Sequence, residues 1–126
     1  MAVGILAILM GGVITGYLAS ARRAEWSAHS LAAHSLAVQG IEQARAARWD
    51  PRVWPAIDEL PPTNFSRVEI LDVELSGRRQ FATNFISVES ISTNPPLRQL
   101  RADCVWSFAL RGLFTNTVIT QRAPDQ

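Results

Sequence analysis

At 126 residues the chain has the length of one domain, and setting aside its first ~50 residues as a non-globular element leaves only a small core. Twelve arginines and no lysine oppose eleven acids, with four arginines against Glu25, Glu42 and Asp50 up to residue 50 and eight against eight beyond it. Neither half has the basic excess that binding a phosphate backbone requires, so no nucleic-acid partner is expected. The lone Cys104 excludes an intramolecular disulfide and a Cys-based zinc site, although a chain without disulfides can still be exported.

The first element is an uncharged apolar run from Ala2 to Ala21, stopped by Arg22 and Arg23. As a helix, this run of about 20 residues reaches about 30 Å, the hydrocarbon thickness of a bilayer. Val3, Ile5, Leu6, Ile8, Leu9, Val13, Ile14 and Leu18 are the side chains expected to face lipid or the core of a filament. Gly4, Gly11, Gly12 and Gly16 would weaken a helix in water, but small residues suit close helix packing, and Gly12 and Gly16 form a GxxxG pair. No basic residue precedes the run, as it would in a signal peptide, yet Ala19-Ser20-Ala21 fits a small-x-small cleavage site. Anchor and removable targeting segment both remain open.

Ala24 to Trp49 holds no proline and one glycine, and its Ala, Arg, Glu, Gln and Leu continue the same helix. Residues 1–49 are therefore predicted to form one helix of about 70 Å, with 2–21 as its membrane-spanning or filament-core part. Asp50-Pro51 is the expected stop, and Arg45 and Arg48 suit the negative end of the helix dipole. Leu31, Val38 and Ile41, extended by Ala24 and Ala28, are predicted to pack on a sheet, while Glu25, Gln39, Glu42 and Gln43 face water.

Residues 50–64 read as a proline-rich connecting loop with Pro51, Pro55, Pro61 and Pro62, and one short helical turn near Ala56 to Leu60. Trp49 and Trp54 are expected to cover the helix end. Residues 65–126 read as a small antiparallel β-sheet domain. In RVEILDVEL the alternation of Val68 and Ile70 changes phase to Leu71, Val73 and Leu75, the mark of a bulge. A turn at Ser76-Gly77-Arg78-Arg79 leads to QFATNFISVESI, with a phase slip expected near Phe85 and Ile86.

STNPPL is read as a loop, because neither Pro95 nor Pro96 can donate to a ladder. The cleanest strand is RQLRADCVWSFAL, where Leu100, Ala102, Cys104, Trp106, Phe108 and Leu110 face one way and Arg101, Asp103 and Ser107 the other. Arg111-Gly112 then turns into LFTNTVITQR. The expected fold class is α+β: a long amino-terminal helix packed on an antiparallel sheet of about four strands, with Leu100, Cys104, Trp106 and Phe108 meeting Leu31, Val38 and Ile41.

Nothing in the chain spells an active site. His29 and His34 lie about 140° apart on a helix and cannot make an i, i+4 zinc pair. No Gly-x-Ser-x-Gly elbow, P-loop or dinucleotide glycine pattern occurs. Glu69, Asp72, Glu74 and Glu89 fall on strands as solvated or cross-strand carboxylates, and Asp103 beside Arg101 reads as a surface ion pair. Asn64-Phe65-Ser66 is a formal glycosylation triplet, and Arg78-Arg79 reads as solubility. No catalytic residue, cofactor or metal ligand is expected.

The run GYLASARRAEWSAHSLAAHSLAVQGIEQARAARWDP, apolar then amphipathic and followed by a small sheet, resembles the helix of the type IV pilin and type II secretion pseudopilin superfamily, especially its minor pseudopilin or PilV-like group. The resemblance covers the helix in sequence and the sheet in layout. The superfamily's Gly-Phe-Thr-Leu-x-Glu processing motif is absent, and Glu25 lies beyond the apolar run, so no processing residue is carried over. The expectation is a gene that extends upstream of Met1, where a basic leader would oppose the pull of Arg22 and Arg23 toward the cytoplasm.

The resemblance implies a non-enzymatic, membrane-anchored bacterial subunit of the inner membrane. Its carboxy-terminal domain would lie in the periplasm, and its helix would assemble with other pilin-like subunits into a type IV pilus or type II secretion pseudopilus filament. The alternative is a secreted or singly membrane-anchored small β-domain binding protein with residues 1–21 as a targeting segment.

Overall fold

The computed structural model describes residues 1–75, 78–108 and 111–125, the side chains of 72–79 excepted. Helix α1 runs from Ala2 to Ala46 without interruption, which at 1.5 Å per residue is about 68 Å. It stops three residues before the predicted end. Ala47 is already extended, with φ −62° and ψ 137°.

Competition for the backbone explains the early stop. The Arg48 N–H donates to Glu59 Oε2 at 2.8 Å and the Trp49 N–H to Asp125 Oδ2 at 2.9 Å, while the N–H groups of Glu59 and Asp125 return bonds to the carbonyls of Arg48 and Trp49. Partners distant in sequence take over the groups that a last helical turn would have used. Trp49–Asp50 (β1) then pairs with Ile57–Asp58 (β2), so a two-residue strand stands where a helical turn was expected. Trp49 is buried against the helix end, but Trp54 is 93% exposed and covers nothing.

The main sheet is an antiparallel meander of β3 (Asn64–Leu75), β4 (Arg78–Thr93), β5 (Pro96–Phe108) and β6 (Gly112–Arg122), in that order. The molecule is α+β, one long helix packed on an antiparallel sheet of four strands with a two-stranded sheet beside it. The bulge expected in β3 lies between Leu71 and Leu75. The slip expected at Phe85 and Ile86 does not occur: Ala82, Asn84, Ile86 and Val88 alternate inward, and the irregularity sits between Ser90 and Ser92. A polar Asn84 on the buried face and exposed Phe81 and Phe85 opposite it inverted the hydropathy pattern there.

The predicted loop at residues 92–97 shrinks to Asn94 and Pro95, because Ser92 pairs with Leu97 and Thr93 with Pro96. Pro96 opens its strand, a position where the missing N–H costs no ladder bond. At the other hairpin the Arg111 N–H donates to the Phe108 carbonyl at 3.0 Å, and Gly112 closes the turn at φ 95°, a conformation glycine adopts without strain. The predicted turn residues Ser76 and Gly77, and Leu110, predicted to end the strand RQLRADCVWSFAL, lie outside the described residues.

The helix meets the sheet through His29, Ala33, Ala37, Gly40, Ile41 and Ala44. Ile41, Leu100, Cys104 and Trp106 are in the core as predicted, with Phe108 packed at its edge. Leu31 and Val38 are not: they are 71% and 37% exposed, and Ala24 and Ala28 face outward with them. The true face is a row of small residues because the surfaces approach closely. A Cβ on Gly40 would lie 2.7 Å from both Asn84 Nδ2 and Ile86 Cδ1, and at this approach Asn84 Nδ2 donates to the Leu36 carbonyl at 2.9 Å.

Candidate functional site

Two regions of α1 differ in what surrounds them. From His29 onward the helix carries a buried face; from Met1 to Ser20 every residue is exposed. Val3, Ile5, Leu6, Ile8, Leu9, Val13, Ile14 and Leu18, the side chains predicted to face lipid or a filament core, range from 51% to 80% exposed. They lie on all sides of the helix rather than along one stripe, the pattern of a helix surrounded by apolar neighbours. Its most apolar stretch has a mean hydropathy of 2.1 with none of it buried in the protein, and by length and composition it could cross a membrane.

The polar groups of this half are compatible with such surroundings. The backbone bonds are internal to the helix, and Thr15 Oγ1 donates to the Gly11 carbonyl at 2.8 Å. Gly4, Gly11, Gly12 and Gly16 have open space where a side chain would be, so all four present bare backbone to whatever packs there. Burying the eight large aliphatic side chains would gain on the order of 10–20 kcal/mol. No segment of the described protein folds back to collect it.

Immediately beyond the exposed half, an aromatic cluster ties the helix to the sheet. Trp106 lies at its centre, 6.0 Å from Trp26, 5.9 Å from His29, 6.3 Å from Phe108 and 5.1 Å from Phe114, ring centroid to ring centroid. Its Nε1 donates to Asn116 Oδ1 at 2.7 Å, and Asn116 Nδ2 donates to Ser30 Oγ at 3.1 Å, so a polar chain crosses from sheet to helix inside the cluster. Trp26 and Phe114 were missed as junction residues. Trp26 lies one helical turn before His29, and Phe114 sits opposite Trp106 in the β5–β6 register, a pairing visible only once the hairpin is set.

The groups that could carry chemistry are occupied or isolated. His29 is buried and its Nδ1–H donates to the Glu25 carbonyl at 2.9 Å, whereas His34 is exposed; the two do not converge. Cys104 is fully buried, and burial aided by the charge of Glu69 pushes its thiol up to about 11. Arg67 Nε lies 3.5 Å from Glu69 Oε1, and Glu89 is exposed; the side chains of Asp72, Glu74, Arg78 and Arg79 lie outside the described residues.

Arg101 Nε bonds Asp103 Oδ2 at 2.9 Å, the surface pair expected from their spacing, and Thr117 donates to the other oxygen. Burial works against ionisation of Asp103, but the Thr117 and Arg101 bonds outweigh it and hold the carboxyl below its usual range. Asn64 opens β3, and the cleft of about 330 Å³ beside it contains Asp103 as its titratable group. Among the described residues no group of three His, Cys, Asp or Glu side chains is arranged to hold a metal ion.

No family model, curated protein or solved structure matches the chain.

Proposed function

We propose that this protein is a pilin-like structural subunit, of the pseudopilin kind, that is held in a membrane by the first half of α1 and assembles through that helix into a filament. The observation that carries the reading is the contrast along one continuous helix: apolar and uncovered to Ser20, packed on the sheet from His29. Lipid and a bundle of similar helices both remove the same surface from water, so one sequence serves the anchored and the assembled state. The sheet domain then lies outside the bilayer, in the periplasm of a bacterial cell, and its outer face contacts neighbouring subunits. The role is mechanical rather than catalytic.

The test is a photo-crosslinking residue placed at Ile8 or Val13 in the full chain in membranes. Crosslinks to the apolar helices of other pilin-like subunits are expected. Crosslinks to lipid alone would reduce the reading to a single anchor. The small residues Ala19-Ser20-Ala21 favour a second reading, a secreted binding domain released by cleavage, and a mature protein beginning at Arg22 would establish it.

A further inference from the structure

A cleft of about 400 Å³ opens where α1 leaves the domain, between the helix and the turn from β5 to β6. Arg22 and Arg23 from the helix and Arg111 from the turn line it. Trp26, Phe108 and Phe114 line it as apolar residues, together with Ala19 from the last turn of the apolar run. Five other arginines, Arg45, Arg67, Arg98, Arg101 and Arg122, each have a carboxylate partner. Among the described residues Arg22, Arg23 and Arg111 have none; nor do Arg48 and Arg52, which stand away from the cleft, so what sets the three apart is that they share one cleft. Glu25, the acid one turn along from Arg22, pairs with neither helix arginine.

Three like charges lining one cleft without a carboxylate partner repel one another, and an anion seated among them lowers that cost. Guanidinium groups match phosphate in particular, because their paired N–H groups meet two phosphate oxygens at once. Position identifies the source of the phosphate. The apolar run ends at Ala21, so in a membrane Arg22 and Arg23 stand at headgroup depth and Trp26 at the level where interfacial tryptophans collect. Ala19 belongs to the span itself, which leaves the cleft continuous with the lipid.

We infer that this cleft binds the phosphate headgroup of an anionic phospholipid, with Arg22, Arg23 and Arg111 on the phosphate and Trp26 and Phe114 against the glycerol and upper acyl carbons. The inference rests on the membrane-anchored reading. It adds that the domain, through Arg111, takes part in lipid recognition, which a helix merely flanked by basic residues would not require.

The experiment uses the full chain in phosphatidylcholine nanodiscs carrying trace dansyl-phosphatidylglycerol or dansyl-phosphatidylcholine, read by energy transfer from tryptophan. Preferential transfer to the dansyl-phosphatidylglycerol is expected, displaced by unlabelled phosphatidylglycerol and unaffected by millimolar inorganic phosphate. Arg111→Gln should weaken the preference about fivefold, the loss of one interfacial arginine. Because displacement by unlabelled lipid is read on the unaltered chain, the inference does not depend on the variant's folding.

Equal transfer to the two lipids overturns the inference, as does a preference unchanged in Arg111→Gln, which would assign it to Arg22 and Arg23 as ordinary flanking charges. Displacement by inorganic phosphate overturns the lipid as ligand. A chain that stays outside the discs overturns the membrane reading and the site together; one that incorporates without preference overturns the site alone.

Discussion

Arg98 closes the proline-rich segment onto the sheet. Its guanidinium makes a paired contact with Asp58, 2.7 Å to Oδ1 and 2.8 Å to Oδ2, donates to the Leu60 carbonyl, and stacks 4.0 Å over the Trp49 ring. A lysine supplies one point charge and cannot stack or fork. Arg98→Lys is expected to cost about 1–2 kcal/mol, measured as a lower urea midpoint with unchanged slope. Cys104 offers a second residue-level measurement. With its thiol raised to about 11 and fully buried, it should resist iodoacetamide at pH 7.5 in the folded chain and react promptly in denaturant. Fast alkylation of the native protein would show that the sheet does not close over it as described.

Among the elements, the helix–sheet seam depends on small residues. Gly40→Ala gains helix propensity, by about 0.5–1 kcal/mol, but drives a methyl group into Asn84 and Ile86 and displaces the Asn84 bond to the Leu36 carbonyl. The clash and the lost bond outweigh the gain, and a net loss of about 1–2 kcal/mol is expected in chemical denaturation. The same seam shows what could be read from the sequence. The period of two in β5 placed Leu100, Cys104 and Trp106 inward, and the absence of proline or paired glycine from Ala24 to Trp49 foretold one continuous helix. The helix face was misjudged because large aliphatic residues outweigh alanine and glycine in any hydropathy pattern. Leu31 and Val38 drew attention to the outward side, whereas Ala33, Ala37 and Gly40 were selected by the distance to the sheet, a tertiary quantity. The third arginine of the cleft, Arg111, was equally hidden, since only the folded hairpin carries it to Arg22.

For the whole molecule, acid is the natural probe of how the chain's ends are fastened. Arg98 holds Asp58 below the usual carboxylate range, Thr117 and Arg101 hold Asp103 there against its burial, and the Trp49 N–H, with Arg122, does the same for Asp125. Each group has a lower pKa folded than unfolded, so its contribution is complete above the unfolded value and fades as pH falls through the folded one. Melting of the full chain in detergent is therefore expected to be flat from pH 7 to 5 and to drop below about pH 4. A melting temperature that rises on acidification would contradict the ion pairs as described.

Because α1 is helical through Ala21 and Arg22 with no hinge, the domain is keyed to the apolar half of its helix like a cam on a shaft. One alanine inserted after Ala21 would turn the sheet by about 100° relative to the glycines at 12 and 16 and lift it about 1.5 Å, while seven would bring it back to within about 20° at a lift of about 10.5 Å. On the filament reading proposed above, assembly that fails with one added residue and recovers with seven would mean that neighbouring copies sense the angular phase of the head rather than its height, and that torque passes along the backbone intact.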